Sequence, residues 1–163
     1  MSTRARTRPR TAIRRLPKRG AADRALIESV LDEALVSHIG IVHEGYPVVV
    51  PTLHARVGDR LYIHGSAASR MLRNLTDGAQ ICLTATLIDG LVLARSAFRH
   101  SVNYRSVMIY GHAEVVTGAR EKERALEAFS EQLVPGRWAE IRWPNGEKLL
   151  VSHPEINRYH RVP

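Results

Sequence analysis

The sequence predicts a mostly β fold, an antiparallel barrel with flanking helices, and three observations lead to this class. About six short runs are rich in β-branched residues, and tight turns separate most neighbouring runs. Long crossover helices do not alternate with these runs, which argues against a doubly wound parallel sheet. Strands in this number usually close into a small barrel, because closure removes exposed sheet edges.

The first element is a helix that begins after Asp23, a residue type that favours the N-cap position. The residues that recur at helical spacing are Leu26, Ile27, Val30, Leu31, Ala34 and Leu35. Residues 37–43 and 47–57 then predict two strands joined by a turn at 44–46. A second tight turn at 58–59 leads into a third strand.

That third strand covers residues 60–65, and residues 66–75 predict a short helix that ends at Gly78. Residues 80–87 and 91–96 predict a hairpin across positions 89–90, because Asp-Gly is a strong turn dipeptide.

The last elements are a loop at 98–104, a long strand at 105–117 and a helix at 119–133. The inward face of this helix is predicted to carry Leu126, Phe129 and Leu133. The remaining residues hold four prolines and few periodic signals, so we expect an irregular tail over 151–163.

The positive charge of the chain is concentrated near its start. The first 20 residues hold 8 of the 24 lysines and arginines and no acid, so 16 basic residues balance 16 acidic ones in the rest. A basic arm over residues 1–10 can bind nucleic acid through phosphate contacts. The alternative is a solvated leader, and the body of the chain offers little for reading bases.

Composition excludes several other classes. No apolar stretch approaches the roughly 18 residues of a membrane helix, so we expect no membrane span. The lone Cys82 excludes a disulfide framework and predicts a reducing, cytoplasmic location. A turn at 58–59 pairs Leu53 with His64 and directs His54 to the opposite face, so these histidines complete no metal site.

The segment 61–73 is the most informative part of the sequence. A strand ends at Gly65, and a helix follows that begins with hydroxyl residues, with Ser66 as its expected cap. Arg70 and Arg73 lie three residues apart, so their guanidinium groups can converge on a phosphate. The other interpretation is a well-capped helix with solvated arginines.

This segment resembles the flavin-phosphate segment of the pyridoxamine 5′-phosphate oxidase-like family. In that family a Ser-Arg-Lys triplet holds the phosphate of FMN; Ser69 and Arg70 match its first two members, and Met71 stands in the place of the lysine. Residues 105–114 resemble the family strand Arg-Gln-Val-x-x-x-Gly-x-x-Glu, with Ser106 replacing the glutamine.

Residues 11–147 are similar to the branch called flavin-nucleotide-binding proteins. The shared phrases occupy residues 14–20, 51–53, 64–66 and 100–107. The resemblance implies an FMN-binding split barrel over residues 11–150, preceded by the basic arm at 1–10. It also implies a homodimer with FMN at the subunit interface. The phosphate-binding segment near the end of the vitamin-B6 oxidases has no counterpart here, and a final strand is expected to be missing or rebuilt.

The resemblance implies cofactor contacts from Pro51, Thr52, Leu53, His64, Gly65, Ser66, Ser69, Arg70, Asn103, Tyr104, Arg105 and Ser106. Ser66, Ser69 and Arg70 are expected to hold the phosphate. The backbone of residues 51–53 would follow the ring edge, and residues 103–106 would contribute across or beside the interface. His64, at the mouth of the site, is the candidate for proton transfer, since an unperturbed histidine titrates near pH 6.5.

The leading interpretation is an FMN-dependent oxidoreductase with an unassigned substrate. A flavin carrier or sensor without turnover is the main alternative, and deazaflavin or heme could replace FMN in the same barrel. The alternative of another class is nucleic-acid binding through the basic arm.

Overall fold

Strands dominate the fold. The computed structural model describes residues 13, 17–65, 69–75, 78–141, 148–155 and 159–162, which include eight strands and three α-helices. In chain order these elements are β1 (Gly20–Ala21), α1 (Arg24–Glu33), β2 (Val36–His43), β3 (Tyr46–Val57), β4 (Arg60–Gly65), α2 (Arg70–Asn74), β5 (Gln80–Val92), β6 (Ser101–Val115), α3 (Ala119–Leu133), β7 (Lys148–Glu155) and β8 (Tyr159–Val162). Short 3₁₀ turns lie at Pro17–Arg19, Ala97–Arg99 and Arg137–Glu140.

The strands form one antiparallel sheet in the order β1-β8-β6-β5-β2-β3-β4-β7. An additional pairing between β6 and β7 closes six of these strands into a barrel. The 15-residue strand β6 makes this possible, because its first half pairs with β8 and its second half pairs with β7. The mostly β split-barrel fold is therefore confirmed.

Both tight turns predicted before β4 are confirmed. Glu44 and Gly45 adopt positive φ angles of 49° and 82°, as a two-residue hairpin turn of type I′ requires. Gly58, with φ of 59°, starts the reversal between β3 and β4.

The predicted hairpin across Asp89 and Gly90 is wrong. β5 runs through both residues, and the register with β6 shifts by one residue there, which defines a β-bulge. Neither residue has the positive φ that an Asp-Gly turn needs. The chain reverses after Val92 instead, and β6 begins at Ser101, inside the segment expected to be a loop.

Two apolar clusters hold the fold together. The larger one fills the barrel and the buried face of α1, where Asp23 caps the helix by accepting a 3.1 Å hydrogen bond from the Leu26 N–H. The smaller cluster lies between α3 and the outer face of β3 and β4, around Phe129. The inward orientation predicted for Leu133 is wrong, because this side chain is 47% exposed at the last residue of α3.

The irregular tail expected over 151–163 is instead largely extended. β7 pairs with β4 on one side and with β6 on the other, and β8 pairs with β6 and β1. Pro154 is tolerated because it is paired only with β6, beyond the last residue that pairs with β4. A final strand is therefore present. No helix in the described ranges is long and apolar enough to cross a membrane.

Candidate functional site

The register between β3 and β4 brings two of the predicted site segments together. The ladder ends at the pair of His54 with Ile63, so Leu53 and His64 are the next residues along the two strands. The strand edge at 51–53 and the end of β4 therefore form one corner of the barrel. The predicted pairing of Leu53 with His64 has the same register, but the ladder ends one pair before it.

The helix α2 begins directly after this corner. Ser69 occupies its N-cap position, and the Ser69 hydroxyl makes no capping hydrogen bond. Ser66, the expected cap, lies outside the described residues, and the helix starts at Arg70 rather than at Ser66. Arg70 is thus the first helical residue after the corner.

Close packing holds α2 against the end of β4. A Cβ atom at Gly65 would lie 3.2 Å from Leu72 Cδ1, which is tighter than ordinary contact, so glycine allows the close approach. Met71, at the position of the family lysine, is only 8% exposed and belongs to the barrel core. Arg73 points outward and forms no ion pair within the described part of the chain.

The two histidines of β3 and β4 have different environments. His64 is half-buried, and its ring meets Phe129 edge-on with a centroid distance of 4.6 Å. His54 lies on the opposite face with 2% exposure, and Nε2 donates a 2.9 Å hydrogen bond to the Leu31 carbonyl. Burial lowers the pKa of His54. The described residues contain no group of histidine, cysteine and carboxylate side chains able to hold a metal.

Two of the predicted site residues on β6, Arg105 and Ser106, are already engaged within the chain. The guanidinium of Arg105 donates to Glu33 at 2.7 and 2.9 Å and to Asp89 at 2.9 to 3.2 Å. These hydrogen bonds raise the pKa of Arg105, and the same contact lowers the pKa of Glu33. Ser106 Oγ lies 2.9 Å from Thr86 Oγ1 and donates to the Ala85 carbonyl.

Strand order keeps this β6 group away from the corner at Gly65. The cross-strand partners run from Val107 to Ala85, then to Ser37 and finally to Thr52. The β6 group is therefore three strands from β3, or roughly 14 Å along the sheet at the usual strand spacing. One chain brings residues 51–53 close to residues 64, 65, 69 and 70 but leaves residues 103–106 apart.

The sequence analysis missed an uncovered face of the barrel. His38, Pro51, Thr84 and Met108 form one cross-strand row on the outside of β2, β3, β5 and β6. None of these four side chains is acidic, and none has a permanent positive charge. Beside this face, the hairpin beyond the bulge exposes large apolar side chains, namely Ile88, Leu91, Leu93 and Phe98.

The closed antiparallel sheet and the strand-to-helix corner define a split-barrel protein. Residues 23–160 match the family described as pyridoxamine 5′-phosphate oxidase, and this chain belongs to that family. Two similar solved structures are the flavocytochrome Anf3 from Azotobacter vinelandii and the FAD- and heme-binding protein from Mycobacterium smegmatis.

The flavocytochrome is 35% identical with a TM-score of 0.83, over 94% of this chain and 73% of that chain. The FAD- and heme-binding protein is 33% identical with a TM-score of 0.79, over 88% of this chain and 73% of that chain. A further FAD-binding protein from Mycobacterium smegmatis shares only the fold, with 10% identity and a TM-score of 0.63 over 86% of this chain and 98% of that chain. Among curated proteins, none matches the sequence significantly.

Proposed function

We propose that this protein binds a flavin, with FMN as the expected form, and acts as an oxidoreductase on a substrate that is still unassigned. The observation that carries the proposal is the identity of 35% and 33% to a flavocytochrome and to an FAD- and heme-binding protein. Both likenesses extend over most of this chain. The family match covers residues 23–160, a range that contains the corner at Gly65.

The corner is suited to a phosphate group. Ser69 is half-buried, and its hydroxyl makes no capping hydrogen bond. Because Gly65 has no side chain, the end of β4 can lie close to Leu72 at the start of α2. We assign phosphate binding to Ser66, Ser69 and Arg70, because hydroxyls and a guanidinium are strong phosphate donors.

The ring-binding role falls to the strand edge and to His64. The backbone of residues 51–53 lies beside the end of β4, where it can follow the edge of a flat ring. Phe129 fixes the His64 ring, which makes no hydrogen bond within the described part of the chain. His64 is therefore available to hydrogen-bond the phosphate or to move a proton. The bound flavin itself would supply the electron transfer.

We further propose a homodimer in which residues 103–106 of one chain approach the flavin held by the other. The separation of the β6 group from the corner, roughly 14 Å along the sheet, supports this arrangement, because a second chain could bring its own β6 group closer to the ligand. The uncovered face and the apolar hairpin offer a surface that a second copy would bury. Arg105 would act by holding the bulge at Asp89 rather than by contacting FMN directly.

The first experiment is an absorbance spectrum of the purified protein, followed by chromatography of the cofactor released by heat. Flavin bands and co-migration with FMN support the proposal, whereas co-migration with FAD corrects the form of the flavin. A colourless protein that binds neither added FMN nor added FAD contradicts the proposal. Consumption of NAD(P)H, or reoxidation of reduced flavin by a test acceptor, separates an enzyme from a carrier.

The phosphate assignment is tested with Arg70→Ala. We expect FMN binding to weaken by about 1.5–3 kcal/mol, the contribution of a hydrogen bond to a charged group. Arg137→Ala is the matched control, because Arg137 is exposed and pairs with Glu140 away from the corner. Equal FMN affinity in Arg70→Ala and the control would refute the assignment.

Heme is the second candidate, because one of the two relatives is named as binding both FAD and heme. The same absorbance spectrum tests it, since bound heme gives an intense Soret band. The remaining alternative, nucleic-acid binding, depends on the basic arm at 1–10, which lies outside the described residues.

A further inference from the structure

A second cleft lies at the opposite end of β4 from the proposed flavin corner. It is an open cleft of about 720 Å³ between the turn that follows β3 and the start of α3. Five residue steps separate Arg60 in this cleft from Gly65 at the corner, which is about 16 Å along an extended strand. The cleft is therefore distinct from the corner.

Arginine dominates the charged lining of this cleft. Arg60, Arg120 and Arg124 face Asp59 and Glu121. Both acids already have partners. Glu121 accepts hydrogen bonds from Arg60 and from the Tyr62 hydroxyl, the latter at 3.0 Å.

Asp59 forms an ion pair with Arg24. Arg120 and Arg124 form no ion pair or hydrogen bond with any residue that the structure describes. Two uncompensated positive charges therefore remain at the cleft.

Both arginines are exposed, and their positions on α3 are slightly unfavourable without a ligand. They are four residues apart on α3, where like charges repel each other. Arg120 also lies in the first turn of the helix, where the helix dipole disfavours positive charge. An anion in the cleft would relieve both effects.

We propose that this cleft binds a small molecule carrying a phosphate group. Two guanidinium groups match the charge of a phosphate dianion and can bind its oxygens bidentately. The volume is that of an ordinary small-molecule site, and Val57 and the buried Tyr62 give the cleft an apolar side for an organic group. This site does not depend on flavin binding.

The test is calorimetric titration with inorganic pyrophosphate, which carries the phosphate chemistry without a particular organic group. The buffer is phosphate-free and of low ionic strength, because salt screens exposed charges. We expect saturable binding to the full-length protein and at least a tenfold weaker affinity, or about 1.4 kcal/mol, in Arg120→Ala/Arg124→Ala. An Arg120→Gln/Arg124→Gln variant keeps long polar side chains at both positions. Its affinity for pyrophosphate should be weakened as much as that of the alanine variant.

Two controls separate this site from other sources of binding. Lys122→Ala/Arg137→Ala removes the same number of positive charges, but neither residue lines the cleft. Arg70→Ala removes the proposed flavin-phosphate contact. Both should bind pyrophosphate as the unmodified protein does. The proposal is overturned if the unmodified protein shows no saturable binding, if the charge control weakens binding equally, or if only Arg70→Ala abolishes it.

Discussion

Acidification should destabilise the folded protein through His54. This side chain is 2% exposed, and its Nε2 donates to the Leu31 carbonyl at 2.9 Å. Nδ1 therefore carries the lone pair of the neutral ring, and it has no hydrogen-bond partner within the described part of the chain. Protonation would place a charge and an unpaired N–H group in the core.

The sign and size of the effect follow from proton linkage. Burial lowers the pKa of His54, and this outweighs the opposing hydrogen bond to Leu31 and the charge of Asp32. An unfolded histidine titrates near pH 6.5, so below about that pH the unfolded chain binds a proton that the folded chain does not. Above this pH the contribution of His54 to the free energy of unfolding should be constant. Below it, the contribution of His54 falls by up to about 1.4 kcal/mol per pH unit until the folded pKa is reached.

The assay is urea unfolding at fixed protein concentration, since any dimer makes stability depend on concentration. His54→Gln is the matched variant, because a glutamine amide can still donate towards Leu31 but does not titrate. Relative to His54→Gln, the unmodified protein should lose unfolding free energy between about pH 7.5 and about pH 5.5, by up to about 1.4 kcal/mol. Parallel pH profiles for the two proteins would refute the reasoning.

Two further predictions concern α3. Phe129→Ala should lower the free energy of unfolding by about 3–5 kcal/mol, because it empties the centre of the smaller cluster. Leu133→Ala, at the exposed end of the helix, should lower it by less than about 1 kcal/mol. Urea midpoints compare the two, and equal losses would contradict the assigned faces. Gln132→Ala should cost about 1–2 kcal/mol, since Gln132 Nε2 lies 3.2 to 3.4 Å from the carbonyls of Leu31, Asp32 and Ala34 at the end of α1. Hydrogen exchange should accelerate in α1 of this variant, and unchanged protection there would contradict the contact.

Local chemistry made the first half of the fold predictable. Asp23 caps α1 with its own side chain, and the Glu44-Gly45 turn joins strands that are adjacent in the sequence. Each of these features depends on residues within a few positions of one another. The bounds of α3 follow equally well from its apolar spacing, because the helix packs one stripe against the sheet.

The C-terminal strands could not be predicted in the same way. β7 lies between β4 and β6, and its backbone hydrogen bonds go to residues far away in the sequence. Such a strand needs no turn signal next to it and little alternation of its own. The spacing of apolar residues, which predicts helices and hairpins, therefore does not predict β7.

Asp89 shows how a distant partner can override a strong local signal. Asp-Gly favours a turn, but Arg105 lies across the sheet and donates three hydrogen bonds to the Asp89 carboxylate while also binding Glu33. A turn at this point would remove the carboxylate from that guanidinium. Asp89 lies at the β-bulge from which the apolar hairpin extends, so the same contact holds the bulge in place. The two contacting residues, Asp89 and Arg105, are 16 positions apart in the sequence.

The candidate site also has one part that local sequence predicts and one part that depends on distant strands. Residues 64–70 are contiguous in the sequence, so a short phrase was enough to propose them as candidates, and β3 lies beside β4 in the adjacent ladder. Residues 103–106 were also identified from a phrase, but their distance from the corner depends on the order of four strands. The proposed dimer would give the phrase a physical role, because a second chain could bring these residues to the flavin. Mixing Arg70→Ala chains with chains altered at Asn103 and Tyr104 tests this directly: the mixture should regain one intact FMN site per heterodimer, whereas a site built within one chain would gain nothing.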